Sequence, residues 1–128
     1  MTELTIQRGE GWLEIQWPVR VESLANARAH WRGMQKKKLA IKQQIALCVL
    51  PHIGALASGR VARCVVTWTR LAPRKLDSDN LQGAFKYHRD SVADAVGVVD
   101  GNEAFWSWQY AQERGAYGAR VRFEFGGQ

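Results

Sequence analysis

Aspartate is missing from most of this chain. It occurs at Asp77, Asp79, Asp90, Asp94 and Asp100 and nowhere else, although glutamates are scattered from Glu3 to Glu124. The chain does not lack acid; it confines the short acid to one window. Cysteine is scarce as well. Cys48 and Cys64 lie in apolar contexts (ALCVL and ARCVV), with no CxxC and no paired histidine spacing. That argues against a disulfide framework or a thiolate zinc site and for reduced, buried thiols in a cytoplasmic protein. No apolar run approaches the roughly 20 residues needed to span a bilayer. The opening residues MTELTIQRGE lack the basic-then-apolar layout of a secretory signal, so a soluble, cytoplasmic chain is expected. GxxxxGK[ST], HExxH and GxSxG are all absent, which removes the phosphate-loop, zinc-protease and serine-hydrolase readings.

What is present is an ordinary globular composition with an unusual charge. The 128 residues fit one domain, 1–128, large enough to bury a core without disulfides. The net charge of +6 and pI near 9.7 point to nucleic acid or another anionic surface as partner. Residues 1–64 hold ten Lys/Arg against four Glu, whereas residues 65–128 hold eight of each sign. The positive field therefore comes from the first half and the acids gather in the second.

Taken in order, GWLEIQWPV over 11–19 alternates Leu13, Ile15, Trp17 and Val19 on one side and predicts a strand, with Pro18 at its end. Met34 to about Leu50 has no Gly or Pro and predicts a helix that Pro51 closes. Its first half carries Lys36, Lys37, Lys38 and Lys42. Three lysines at a helix start oppose the macrodipole, so they read either as a solvated face or as a phosphate-contacting patch. Arg63–Leu71, RCVVTWTRL, reads as a central or half-buried strand by its β-branched and aromatic content. A second helix is expected over Asn80–Val96, with Leu81, Ala84, Phe85, His88, Val92 and Ala95 on one face. Gly83, Lys86, Asp90 and Asp94 fall on the other, and Gly97 closes the helix. Two last strands, FWSWQYAQE over 105–113 and ARVRFEF over 119–125, are expected to form a hairpin through Arg114–Gly118. The order β-α-β-α-β-β predicts an α/β (α+β) domain with a mixed sheet and a C-terminal hairpin.

The Asp-rich window can then be tested against known chemistries. An EF-hand loop from Asp77 would need an oxygen ligand at Leu81, Gly at Gln82 and Glu at His88, and it fails each test. His88 lies on an apolar helix face and reads as core. Trp106, Trp108 and Tyr110 read as core or interface, with base stacking as the alternative. For Asp77 and Asp79 helix capping is one explanation. The other is a hard cation: carboxylates beside Arg74 and Lys75, with Asp100 in a turn beyond the helix, suit Mg²⁺ or Mn²⁺ and phosphodiester hydrolysis. Lysines would offset charge on phosphate oxygens. Asp90 and Asp94 read as a solvated helix face.

The run Leu76-Asp77-Ser78-Asp79-Asn80-Leu81-Gln82, followed by a helix and Gly97-Val98-Val99-Asp100, resembles the RusA family of Holliday-junction resolvases. That family's signature is an Asp-x-Asp-Asn-Leu run opening a helix, with an acidic turn some twenty residues on. Asn26-Ala27-Arg28 is similar to its N-terminal Asn-x-x-Arg-like region. The likeness covers about thirty residues closely and the rest loosely. It implies a homodimeric, Mg²⁺-dependent endonuclease that cuts four-way DNA junctions, with Asp77, Asp79 and Asp100 as metal ligands. Arg74, Lys75, Lys36, Lys37, Lys38 and Lys42 would contact DNA. The family's lysine four residues after the second Asp is Gly83 here, and Lys86, on the same face, is the candidate replacement. The acidic pair of the last turn is reduced to Asp100-Gly101-Asn102. These departures keep a second reading open: a non-catalytic protein that binds branched DNA on the same fold.

A straight helix from Asn80 to Val96 would be about 24 Å long, and four more residues return at most roughly 13 Å. Asp79 and Asp100 of one chain could not then share a cation with ligands at about 2.1 Å. Either the helix is short or bent, or the site is shared between two subunits.

Overall fold

The computed structural model describes residues 4–23, 31–53, 63–96 and 106–125. Asn26, Arg28, Gly97 and Asp100 lie outside these residues, as does the connection over 54–62. Five strands form one mixed sheet: β1 (Thr5–Gly9), β2 (Trp12–Trp17), β3 (Cys64–Ala72), β4 (Trp106–Arg114) and β5 (Gly118–Phe125), in the order β1-β2-β5-β3-β4. Helix α1 spans Trp31–Cys48, followed by a 3-10 turn at Leu50–His52 that takes Pro51 into its first positions. Helices α2 (Ser78–Ala84) and α3 (Lys86–Val96) carry the chain from β3 to β4. This is an α+β domain with a mixed sheet.

Strand alternation decides which side of the sheet is covered. Leu13, Ile15 and Trp17 of β2, Val121 and Phe123 of β5, and Cys64, Val66 and Trp68 of β3 share one face and are buried. Ile45 and Val49 at the end of α1, with Leu81, Ala84, Phe85 and Val92 of α2 and α3, complete the same core cluster. The opposite face is polar: Arg122 pairs with Glu14 at 2.8 Å, and Arg120 with Glu113 at 2.7 Å. One face holds the core and the other an ion-pair network, as a half-covered sheet requires.

Three expectations change. The hairpin of β4 with β5 does not form. β3 lies between them, parallel to β4 and antiparallel to β5. The tight connection that suggested a hairpin instead steps across the end of β3, where Gly115 N–H donates to the Ala72 carbonyl at 3.1 Å. The true hairpin is at the other end of the chain, β1 with β2, turned at Gly11 in a positive-φ conformation (φ 78°) that suits glycine. The helix over 80–96 is two helices. Phe85 leaves helical geometry (φ −101°, ψ 6°), ending α2, while its carbonyl accepts from Arg89 N–H at 2.9 Å within α3. The break seats the Phe85 ring against Trp68, stacked at 5.6 Å, and against His88, edge-on at 5.1 Å. Ala95, expected on the apolar face, is exposed.

Candidate metal and nucleic-acid site

The Arg74–Asp79 turn leaves the carboxyl end of β3, the end of a strand where ligands collect in open α/β sheets. Two side chains fix it from below. Gln112 of β4 treats Leu76 as a strand partner: its Oε1 accepts from the Leu76 amide at 3.0 Å and its Nε2 donates to the Leu76 carbonyl at 2.7 Å. Arg70 of β3 donates from Nε to the Val21 carbonyl at 2.9 Å and from Nη1 to the Arg74 carbonyl at 2.7 Å. The turn is therefore held at two points by side chains rooted in the sheet, a suitable base for a precise site.

From this base the chain enters α2. Asp77 is its N-cap, with Oδ1 accepting from the Asn80 amide at 3.1 Å. The capping explanation therefore holds for Asp77, and it uses one of its two oxygens. Asp79, in the first turn, is exposed. Among the described residues neither carboxylate forms an ion pair. Arg74 and Lys75 precede them with exposed side chains, and Lys86 is exposed at the head of α3.

A hard divalent cation takes oxygen ligands, and Mg²⁺ is commonly held by one or two carboxylates plus water and substrate phosphate. Asp77 and Asp79 fit that donor set, being all oxygen, exposed and free to accept. Among the described residues no three of His, Cys, Asp and Glu gather as a metal-holding group. Asp100, the third expected ligand, is outside them.

The lysines of α1 are distributed differently from one continuous patch. Lys37 pairs with Glu22 at 3.5 Å, both exposed, a contact of little energetic weight. Lys38 and Lys42 line a groove with Tyr87, Asp90 and Asp94 of α3, and the Lys38 ammonium lies 5.9 Å from the Tyr87 ring centroid. Lys36 is exposed. Asp90 also lies 3.8 Å from Arg89. Two lysines and two aspartates read separately in the sequence thus share one groove.

His88 is core, as its position on the helix predicts. It is 2 % exposed, packed edge-on to Trp68 and Phe85. Burial pushes its pKa down to about 4. Its Nδ1 has no hydrogen-bond partner among the described residues. Cys64 is buried, and burial pushes its thiol up to about 12; Cys48 is half-buried and shifted the same way by burial. Both are poor nucleophiles. Trp106 is core, with Trp108 and Tyr110 packed against it. Among the described residues no helix is long and apolar enough to cross a membrane.

Sequence reasoning missed Gln112 and Arg70. Both carried a signal: each is a polar residue on the core-facing parity of its strand, Gln112 with Trp108 and Tyr110, Arg70 with Val66 and Trp68. Such a residue needs a buried partner, and here the partners are carbonyls and an amide of the site's own backbone.

No known protein family matches this chain, and no curated protein matches it significantly. The likeness to the RusA resolvases therefore rests on the Leu76–Gln82 run and the residues around it.

Proposed function

We propose that this protein is a divalent-metal-dependent endonuclease of branched DNA, with four-way junctions as its substrate, acting as a homodimer in the cytoplasm. One observation carries the reading. Asp77 and Asp79 stand exposed on a turn that Arg70 and Gln112 pin to the sheet, with Arg74 and Lys75 beside them. In this reading Asp77 and Asp79 would hold Mg²⁺ or Mn²⁺, with Asp100 as the third ligand. The bound cation supplies Lewis acidity to a phosphodiester. Arg74, Lys75 and Lys86 set the strand against the turn and offset charge on its phosphate oxygens. The wider basic surface, including Lys36, adds affinity that salt weakens.

Helical geometry is interrupted at Phe85, so both a site within one chain and a site shared between subunits stay open. Mixing Asp79→Asn with Asp100→Asn protein separates the two arrangements: restored cleavage means shared sites, and none means a site within one chain. A second reading, binding of branched DNA without cleavage, is favoured by Gly83, which leaves the family's lysine position without a side chain.

The deciding experiment incubates the protein with a labelled synthetic four-way junction, with Mg²⁺, with Mn²⁺ and with chelator. Cleavage that needs metal and is lost in Asp79→Asn is the expected result. Junction binding without nicking in either metal replaces the enzyme with the binding protein.

A further inference from the structure

Arg20 and Arg70 lie where β2 leaves the sheet, β3 ends and β5 begins, and Arg70 holds the backbone of Arg74. Arg70 is 8 % exposed, yet among the described residues it pairs with no carboxylate. Its guanidinium bridges two main-chain carbonyls, those of Val21 and Arg74, so it sits between the backbones that carry Arg20 and Arg74. The Arg20 guanidinium lies 5.1 Å from the centroid of the Tyr117 ring. Tyr117 directly precedes Gly118, which pairs with Leu71 in the strand register. The acid nearest in sequence to Arg20, Glu22, is turned to Lys37. Arg20 and Arg74 likewise form no ion pair among the described residues. Burial is the main cause that lowers the Arg70 pKa, and the positive charge of Arg20 acts in the same direction.

A nearly buried guanidinium held without a carboxylate partner is costly unless an anion neutralises it. Planar guanidinium forks suit phosphate geometry.

We propose that Arg20, Arg70 and Arg74, with the Tyr117 hydroxyl, form a phosphate-binding subsite beside the Asp77–Asp79 turn. The phosphate it takes is one of the nucleic-acid backbone that reaches the turn; this identification rests on the nuclease reading, whereas the anion site itself does not. Arg70 is the fixed floor, placed by its two carbonyl bonds. Arg20, carried on the Tyr117 ring, is the exposed arm.

Two measurements test this. The first follows the arginine Nε–H resonances by NMR while inorganic phosphate is added to the full chain, with chloride at matched ionic strength as control. Saturable shifts at Arg70 and Arg20, lost in Arg20→Gln, are expected. Absence of shifts, or the same shifts in chloride, overturns the proposal. The second measures affinity for the labelled junction in chelator across a salt series. Arg20→Gln is expected to weaken binding roughly three- to tenfold and to lower the salt slope by about one, while Arg20→Lys recovers part of it. Junction binding equal to wild type in affinity and slope for Arg20→Gln also overturns it. Phosphate shifts in a protein that binds no junction keep the subsite and remove the nuclease reading instead. Arg20 and Tyr117 are exposed, so Arg20→Gln and Tyr117→Phe avoid the folding defect that Arg70 substitutions would bring.

Discussion

Gln112 holds Leu76 with both ends of its amide, accepting from the Leu76 N–H at 3.0 Å and donating to the Leu76 carbonyl at 2.7 Å. A side chain of the edge strand thus replaces a missing strand partner and extends the sheet by one residue, the last before Asp77. Gln112→Ala removes both bonds. Each is worth about 1 kcal/mol, so a loss of about 1–2 kcal/mol is expected in urea unfolding, with faster hydrogen exchange at the Leu76 amide. In the nuclease reading, junction cleavage should fall further than stability does, because the turn loses its seat. An unchanged exchange rate at Leu76 would show that the turn is fixed by something else.

Asp77 is both helix cap and candidate ligand, and two substitutions separate these tasks. Asparagine can cap as well as aspartate, whereas alanine cannot, at a cost of about 1 kcal/mol. Asp77→Asn should therefore unfold like wild type and, in the nuclease reading, lose metal-dependent cleavage. Asp77→Ala should lose both. If Asp77→Asn cleaves at the wild-type rate, Asp77 is a cap alone and the cation belongs to other residues.

How much of this was legible in the chain depended on what each signal could encode. Alternation marked β2, β3 and the two last strands, because their core-facing residues are large and apolar: Leu13, Ile15, Val66, Trp68, Phe123. It could not say which strands pair. A Gly-rich link between Arg114 and Gly118 looks the same whether the strands it joins touch or straddle β3. The first strand, TIQRG, offered only one apolar residue, Ile6, and went unseen. The helical period ran through Phe85 without interruption, since Leu81, Ala84, Phe85 and His88 stay on the buried side on both sides of the break. The Asp77–Asp79 pair was visible from composition alone. The seat of Arg20 on Tyr117 and of Arg70 on the Val21 and Arg74 carbonyls was not, because these groups come from separate segments of the chain.

Gly83 bears on both stability and activity. A Cβ built there meets nothing within 4 Å, so a side chain is sterically free, and glycine inside a helix costs about 0.5–1 kcal/mol relative to alanine. Gly83→Ala should raise stability by about that amount in urea unfolding. Gly83→Lys should fold equally well and, in the nuclease reading, cleave junctions faster than Gly83→Ala. Lys86→Ala should slow cleavage if Lys86 stands in for the missing lysine, and near-wild-type rates for that variant assign it no such role. If the added lysine at 83 rescues Lys86→Ala, the two positions serve the same phosphate.

His88 gives the fold a pH dependence whose sign can be worked out. Burial among Trp68 and Phe85 holds its folded pKa down at about 4, against about 6.5 in an unfolded chain. Between these values the unfolded state binds the proton and the folded state does not. Stability is therefore complete above about pH 6.5 and declines as the pH falls toward 4, by up to about 1.4 kcal/mol per unit. The descent from pH 6.5 to 5 isolates this histidine from most carboxylates, whose ordinary pKa values lie near 4. His88→Phe keeps an aromatic ring in the cluster and removes the titration. Its melting temperature should stay nearly level over that interval while the wild-type value drops. Parallel curves for the two proteins would place the pH dependence elsewhere, and would mean that His88 finds a partner that lets it carry a proton in the core.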